Sequence, residues 1–156
     1  MNKTLTINYQ EYVGLSELPA ADRELVELAA RAAAGAYAPY SRFHVGAALR
    51  LADGTVVCGS NQENAAYPSG LCAERTALFA ASASRPDVAD YEALAIIGID
   101  GQGRRCAAAP CGACRQVMDE YERRQRHPLR VVCYIDEACV RVFPNVGALL
   151  PFAFQF

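Results

Sequence analysis

The sequence predicts an α/β fold in which helices cover both faces of a mixed five-stranded sheet, giving a three-layer sandwich. Three observations lead to this prediction. Apolar residues recur at helical spacing in three segments, five short runs are β-prone, and helices alternate with strands after a first hairpin. The chain has 156 residues, of which 53% are hydrophobic and 21% charged, which suits a single domain over residues 1–156.

The first half of the chain predicts a helix, a hairpin and a second helix. Residues 20–36 carry apolar side chains at helical spacing and end near a glycine. An Ala-Asp-Gly turn separates two β-prone runs at roughly 44–51 and 55–60, which we interpret as a hairpin. After a loop broken by proline and glycine, a helix is predicted from near Leu71 to about Ser84.

The second half alternates strands with one helix. In chain order, we expect a strand at 93–100, a loop at 101–109, a helix from Pro110 or Cys111 to Gln125, strands at 129–135 and 139–143, and a turn or short helix at 145–150. Proline is tolerated in a first helical turn because the N–H that it lacks would have no acceptor there.

Charge and hydropathy argue against several classes of protein. The net charge is −2, whereas a dedicated nucleic-acid binder usually carries a strongly basic face. The longest apolar runs are too short to span a bilayer, and the N-terminal stretch has no apolar signal-peptide core. We therefore expect a soluble, cytoplasmic protein.

The seven cysteines are an odd number in a chain without an evident export signal, which indicates reduced thiols rather than a disulfide framework. Cys58, Cys133 and Cys139 lie inside apolar, strand-like runs and are expected to be small buried side chains. Cys106 falls in the predicted loop and has no evident role. The other three cysteines are candidates for a metal site.

Those three cysteines stand at two predicted helix starts, within "SGLCAERTAL" and "APCGACRQ". The C-x-x-C spacing of Cys111 and Cys114 places both sulfurs on one helix face, although this spacing alone also fits a redox dithiol. Cys72 stands at the other helix start, and the dipoles of both helices favour thiolates. We therefore expect Cys72, Cys111 and Cys114 to hold one Zn²⁺ per chain, with a fourth position open for water.

A closed structural zinc site is the alternative, and it would need Cys58 or Cys106 as a fourth ligand. Glu74 favours the hydrolytic site because it lies two residues after the first cysteine ligand, within reach of a water on the metal. Without the cysteines, Glu74 would be interpreted as an ordinary first-turn helix acid. Arg75 and Arg115 each adjoin a ligand and are expected to donate to the sulfurs, offsetting their negative charge.

The two metal motifs, together with "AYAPYSRFHVGAAL", "GSNQENAAYPSGLCAERTAL" and "LLPFAF", resemble the zinc-dependent cytidine deaminases, specifically the small homotetrameric type that acts on free nucleosides. The resemblance covers most of the chain between residues 20 and 154. It implies a cytidine-deaminase-like fold and hydrolytic deamination of cytidine and deoxycytidine to uridine, deoxyuridine and ammonia in pyrimidine salvage. It also implies a homotetramer with sites near the subunit interfaces.

Roles for individual positions follow from the resemblance. It implies that Cys72, Cys111 and Cys114 ligate zinc and that Glu74 shuttles protons. The implied substrate-binding positions are Asn61 and Glu63 for the ribose hydroxyls, Phe43 for packing on the base, the Ala73 N–H and Ala109 C=O for the pyrimidine ring, and Tyr67 and Phe154 for a neighbouring subunit's site. The loop "GQGRRCAAA" departs from the usual family loop, and Ala109 stands where the family often has serine.

Three other functions remain as alternatives. A deaminase of another small aminopyrimidine, of the blasticidin-S type, would share the three cysteines, but Asn61 and Glu63 favour a ribose-bearing substrate. A deaminase of polynucleotides would need a basic, aromatic-lined groove, which the acidic composition argues against. A non-catalytic zinc-binding module would give Glu74 no role, and it would be expected to supply a fourth protein ligand, which the sequence pattern lacks.

Overall fold

The computed structural model describes residues 1–87 and 90–156. Its helices and strands, in chain order, are β1 (Gln10–Tyr12), α1 (Ala20–Ala32), β2 (His44–Leu51), β3 (Val56–Ser60), α2 (Ala73–Ser84), β4 (Tyr91–Ile99), β5 (Arg105–Cys106), α3 (Gly112–Gln125), β6 (Arg130–Asp136) and β7 (Cys139–Phe143). Short 3₁₀ turns lie at Leu15–Glu17, Ala33–Gly35, Tyr67–Ser69 and Val146–Ala148. The last of these confirms the turn predicted near the C-terminus.

The strands form one mixed sheet in the order β1-β7-β6-β4-β2-β3, with β5 paired to the end of β4. Only the β4–β6 pair is parallel among the described strands, and α3 lies between those two strands in the chain. The mixed α/β prediction is therefore confirmed, but the sheet has seven strands rather than five. The two additional strands, β1 and β5, are three and two residues long, which is too short to show an apolar pattern.

Helices pack on both faces of the sheet, as the three-layer prediction requires. α1 buries Leu25, Val26 and Ala29 on one face, and α2 and α3 bury side chains such as Leu78 and Met118 on the other. Burial of this kind contributes about 25 cal/mol per Å² of apolar surface removed from water. No helix in residues 1–87 or 90–156 combines the length and apolarity needed to cross a membrane.

Two glycines let the helices approach the sheet closely. A Cβ on Gly46 would lie 1.8 Å from the carbonyl oxygen of Ala29 in α1. A Cβ on Gly59 would lie 2.5 Å from the carbonyl oxygen of Ala73, at the start of α2. Since the contacted atoms belong to the backbone, they cannot move aside as a side chain would. The absence of a side chain at Gly59 therefore allows the N-terminus of α2 to lie directly against β3.

α2 and α3 begin one or two residues later than the sequence pattern suggested, whereas α1 begins at Ala20 as predicted and ends at Ala32, before the predicted end at residue 36. α2 begins at Ala73 rather than near Leu71, and α3 begins at Gly112. The preceding residues, Cys72 and Cys111, have extended backbones with ψ angles of 157° and 168° and occupy the N-cap positions. Both side chains therefore stand just ahead of a helix N-terminus, where unpaired N–H groups favour negative charge.

The expected burial of the non-ligand cysteines is only partly confirmed. Cys133 is buried in β6, and Cys139 is half-buried at the start of β7. The prediction for Cys58 was wrong, because this thiol is exposed. It lies on β3, an edge strand of the sheet, so that only one neighbouring strand flanks it. Cys106 lies in β5, where a loop was expected.

Candidate active site

The N-termini of α2 and α3 converge and bring three sulfur atoms together. The Sγ atoms of Cys72, Cys111 and Cys114 all lie within 4.8 Å of one another, and those of Cys72 and Cys111 are 3.8 Å apart. Sulfurs bound to one tetrahedral zinc at about 2.3 Å are separated by roughly 3.8 Å, so the spacing fits zinc. A disulfide would need an S–S distance of about 2.0 Å. Within the described residues, neither Cys58 nor Cys106 joins this cluster.

The thiols of Cys72 and Cys114 have pKa values that are shifted in opposite directions. A hydrogen bond from Cys114, with the Arg75 guanidinium beside it, holds the pKa of Cys72 well below its usual range. The same hydrogen bond raises the pKa of Cys114, because this sulfur keeps its proton beside a thiolate. A divalent cation between the sulfurs of Cys72 and Cys114 would compensate the negative charge that two neighbouring thiolates carry. The donor set therefore fits a zinc ion in chemistry as well as in spacing.

Glu74 lies in the first turn of α2, beside the sulfur cluster. Its side chain is only 3% exposed. Burial raises the pKa of its carboxyl group to about 7, and the nearby sulfur of Cys72 adds to the rise. A carboxyl group with a near-neutral pKa can both accept and donate a proton at physiological pH.

A cavity of about 360 Å³ opens in front of the cysteines. Ser41, Phe43, Val45, Asn61, Glu63, Cys72, Glu74, Ile96, Ala107, Ala108, Ala109 and Cys111 line it. The segment after β5 forms one wall and is tied to the sheet, since the Ala108 N–H donates to the Tyr134 carbonyl at 3.1 Å. The cavity thus combines apolar walls with a few polar groups, as small-molecule sites commonly do.

A second cavity, of about 400 Å³, lies between the end of α1 and the loop after β4. Among the described residues, its lining includes His44 and Asp100 as ionisable groups and contains no cysteine. The smaller cavity is the better candidate for catalysis because, of the two, it is the one that adjoins the sulfur cluster and a buried acid.

Asn61 and Glu63 face the cavity from the segment that follows β3. The Asn61 side chain accepts a hydrogen bond from the Val45 N–H at 2.7 Å and donates one to the Phe43 carbonyl at 2.9 Å. The Glu63 carboxylate accepts from the Tyr40 N–H at 2.9 Å and also from the Ser41 hydroxyl. Each polar group retains further hydrogen-bonding capacity for a ligand, because an amide and a carboxylate can each make more bonds than these.

Two of the three base-contacting positions of the resemblance line this cavity, and the third lies at the start of α2. Phe43 and Ala109 line the cavity, and the Phe43 ring is 36% exposed. Ala73 is the first residue of α2, so its N–H has no acceptor within the helix.

The two positions assigned to a neighbouring subunit's site are exposed. Tyr67 is 77% exposed beside the opening that Asn61, Glu63 and Arg75 line. Phe154 is 66% exposed and lies against α3, where its carbonyl accepts hydrogen bonds from Gln116 and Arg123. Phe154 is not among the described residues that line the cavity of its own chain.

The two arginines expected to contact sulfur behave differently. Arg75 donates to the sulfur of Cys72 at 3.6 Å. Arg115 instead donates to the carbonyl oxygens of Pro110 and Leu149, at 2.9 and 3.1 Å. The expected contact of Arg115 with sulfur is therefore corrected: its guanidinium joins the segment before α3 to the C-terminal segment.

Ser41 was not singled out from the sequence, although it lines the cavity. Its hydroxyl meets a carboxylate 22 residues away in the chain. Local spacing gives no signal for such a contact, and only its place within "PYSRF" could have drawn attention to it.

A family model described as the cytidine and deoxycytidylate deaminase zinc-binding region matches residues 19–127. The cytidine deaminase of Halalkalibacterium halodurans is 52% identical over 101 residues, which cover 64% of this chain and 71% of that protein. The cytidine deaminase of Mycobacterium tuberculosis is 45% identical over 105 residues, covering 65% and 74% respectively.

Solved structures give the same result. The crystal structure of cytidine deaminase from Burkholderia pseudomallei superimposes with a TM-score of 0.72 at 46% identity, covering 84% of this chain and 97% of that one. The crystal structure of cytidine deaminase from M. tuberculosis superimposes with a TM-score of 0.65 at 38% identity, covering 85% and 96%.

Proposed function

The chain belongs to the family of zinc-binding cytidine and deoxycytidylate deaminases, and from that premise we propose a role for each residue of its site. The reaction is the zinc-dependent hydrolytic deamination of cytidine, which releases ammonia and has a general role in pyrimidine salvage. The observation that carries the assignment of roles is a cluster of three cysteine sulfurs at a cavity that Cys72, Cys111 and the buried Glu74 line.

We propose that Cys72, Cys111 and Cys114 hold the zinc ion, one per chain. When bound, zinc supplies a Lewis acid that makes a water molecule nucleophilic near neutral pH. The 3.8 Å separation of the Cys72 and Cys111 sulfurs supports this ligand set. Arg75 donates to the Cys72 sulfur and offsets part of the negative charge that three thiolates carry.

Glu74 is the proposed proton shuttle. It takes a proton from the attacking water and delivers it to N3 of the cytosine ring while the water oxygen bonds to C4. It then takes the remaining proton of that oxygen and delivers it to the amino group, so that the C4–N bond breaks and ammonia leaves. The low exposure of Glu74 keeps solvent from competing for the proton, and its near-neutral pKa suits transfer in both directions.

The nucleoside is placed by the polar and aromatic walls of the cavity. Asn61 and Glu63 are proposed to hydrogen-bond the ribose hydroxyls, and Phe43 to pack on the base. The Ala73 N–H and the Ala109 carbonyl are proposed to bind the edge of the pyrimidine ring. These assignments are supported by the cavity lining and by the position of Ala73 at a helix N-terminus.

Assembly is also part of the proposal. Tyr67 and Phe154 are proposed to reach a neighbouring subunit's site in a homotetramer, and their high exposure in the single chain supports this. We further propose that residues 1–156 form one domain and that the protein is cytoplasmic.

The experiment uses purified zinc-loaded protein and follows ultraviolet absorbance and ammonia release with cytidine, deoxycytidine, free cytosine and blasticidin S. We expect both nucleosides to be deaminated and the other two compounds to react at least about a hundredfold more slowly, because they lack the ribose that Asn61 and Glu63 bind. Preferred turnover of blasticidin S would contradict the substrate assignment. Zinc binding with no turnover of any compound would instead support a non-catalytic zinc module.

A further inference from the structure

We propose that Ser41 is a positioning residue. It fixes the carboxylate of Glu63 relative to the ring of Phe43, so that the two can bind the sugar and the base of one nucleoside at the same time. This inference rests on the proposed function of the cavity. It concerns a residue that contributes to the proposed reaction through its neighbours and not by touching the reacting atoms.

The Ser41 side chain connects the two sides of the cavity by itself. Its hydroxyl donates to Oε1 of Glu63, and the Ser41 Oγ atom also accepts a hydrogen bond from the Phe43 N–H at 3.0 Å. Since a serine hydroxyl has a single proton, donation to Glu63 fixes its orientation and leaves its lone pairs for Phe43. The positions of the carboxylate and of the aromatic residue are thereby coupled through one oxygen atom.

The backbone around Ser41 strengthens the same arrangement. The N–H groups of Tyr40 and Ser41 donate to Oε2 of Glu63 at 2.9 and 3.3 Å. Both carboxylate oxygens are thus held by one short loop. Hydrogen bonds to an ionised carboxylate are stronger than those between neutral groups, so the loop and Glu63 support one another.

Arg42, between Ser41 and Phe43, has a left-handed backbone with a φ of 54°. Non-glycine residues seldom adopt this conformation, and its cost must be met by surrounding contacts. One such contact is the hydrogen bond from the Arg42 N–H to the Ala38 carbonyl at 3.0 Å. With this left-handed residue between them, Ser41 and Phe43 both line the cavity, whereas Arg42 is not among the described lining residues.

Ser41 is exposed in the free chain, so removing its hydroxyl should cost the fold little. Its hydrogen bonds become covered only when a nucleoside fills the cavity. The contribution of Ser41 should therefore appear in substrate binding, and most strongly for substrates with a sugar hydroxyl for Glu63 to bind.

The test compares Ser41→Ala, Ser41→Thr and the wild type with cytidine and with 2′,3′-dideoxycytidine, which lacks both secondary hydroxyls. For Ser41→Ala we expect the KM for cytidine to rise about tenfold, with kcat within about twofold, as fits loss of a hydrogen bond to a charged group. Ser41→Thr keeps the hydroxyl and should restore most of the affinity. With dideoxycytidine, the same Ser41→Ala change should alter KM by less than about twofold.

Ser84→Ala is the matched control, because Ser84 is an exposed serine at the end of α2 whose hydroxyl bonds the Ala80 carbonyl. An equal loss with cytidine and dideoxycytidine, or a loss confined to kcat, would overturn the inference. So would failure of Ser41→Thr to restore affinity while it melts at the wild-type temperature. If the wild-type enzyme deaminates no nucleoside, the proposed function fails instead, and this outcome is seen before any variant is compared.

Discussion

Replacement of Glu74 by glutamine removes the proposed proton shuttle with little change in shape. The Glu74 side chain is 3% exposed, so bulk water cannot readily take over its proton transfers. General acid–base catalysis contributes roughly 10²–10⁴-fold to rate, and we assign two successive transfers to this one group. We therefore expect kcat to fall by about 10⁴-fold or more, which corresponds to about 5.5 kcal/mol of transition-state stabilisation.

The fold and the metal should tolerate this change. Burial raises the pKa of the Glu74 carboxyl group to about 7, and a neutral amide adds no buried charge. The assay is deamination of cytidine, with zinc content and melting temperature measured on the same preparation. Glu24→Gln, at an exposed position on α1 across the sheet, serves as the control. A loss of less than about tenfold in kcat, with zinc retained, would refute the assignment of Glu74.

Three further predictions concern the metal, the packing of α2 and the dependence of stability on pH. Cys111→Ala should lose zinc and activity together, as metal analysis and the cytidine assay will reveal; normal zinc content would refute its role as a ligand. Gly59→Ala should lower the free energy of unfolding by about 1–3 kcal/mol in urea denaturation, because its Cβ would lie 2.5 Å from the Ala73 carbonyl oxygen; an unchanged midpoint would contradict this contact. Hydrogen bonds from Thr55, and then one from Arg85, lower the pKa of Asp53 to about 2. The ionised Asp53 side chain therefore stabilises the fold above its ordinary pKa, and this stabilisation is lost as the pH falls toward 2. Urea midpoints of Asp53→Asn and the wild type should therefore differ at pH 7 and converge toward pH 2, and a constant difference would contradict the assigned cause.

The main elements of the fold were predictable because they are long enough to show a period. α1 spans 13 residues and β4 spans nine, and both carry clear apolar patterns. β1 and β5 were missed because two or three residues show no period, and among the described strands β1 pairs only with β7, near the other end of the chain. The exposure of Cys58 was missed for a related reason, since the pattern identified a strand but not its place at the edge of the sheet.

The metal site was predictable from residue types and spacing, because a C-x-x-C pair and a third cysteine, all at helix starts, supply the soft ligands that zinc prefers. The direction of a long side chain was not predictable in the same way. Arg115 adjoins a proposed ligand in sequence, yet its guanidinium donates to the carbonyl oxygens of Pro110 and Leu149 instead of to sulfur. The contact between Ser41 and Glu63 joins residues that are 22 positions apart, and the left-handed backbone at the adjacent Arg42 has no signal in the local sequence pattern.

We expect the sulfurs of Cys72, Cys111 and Cys114 to hold one zinc ion and to leave one coordination position for water. Zinc-edge X-ray absorption on the purified enzyme measures this coordination directly. We expect three sulfur neighbours at about 2.3 Å and one oxygen or nitrogen neighbour, in a ratio of one zinc per chain. Four sulfur neighbours would contradict the claim, because a zinc ion closed by a fourth cysteine has no position at which to activate water.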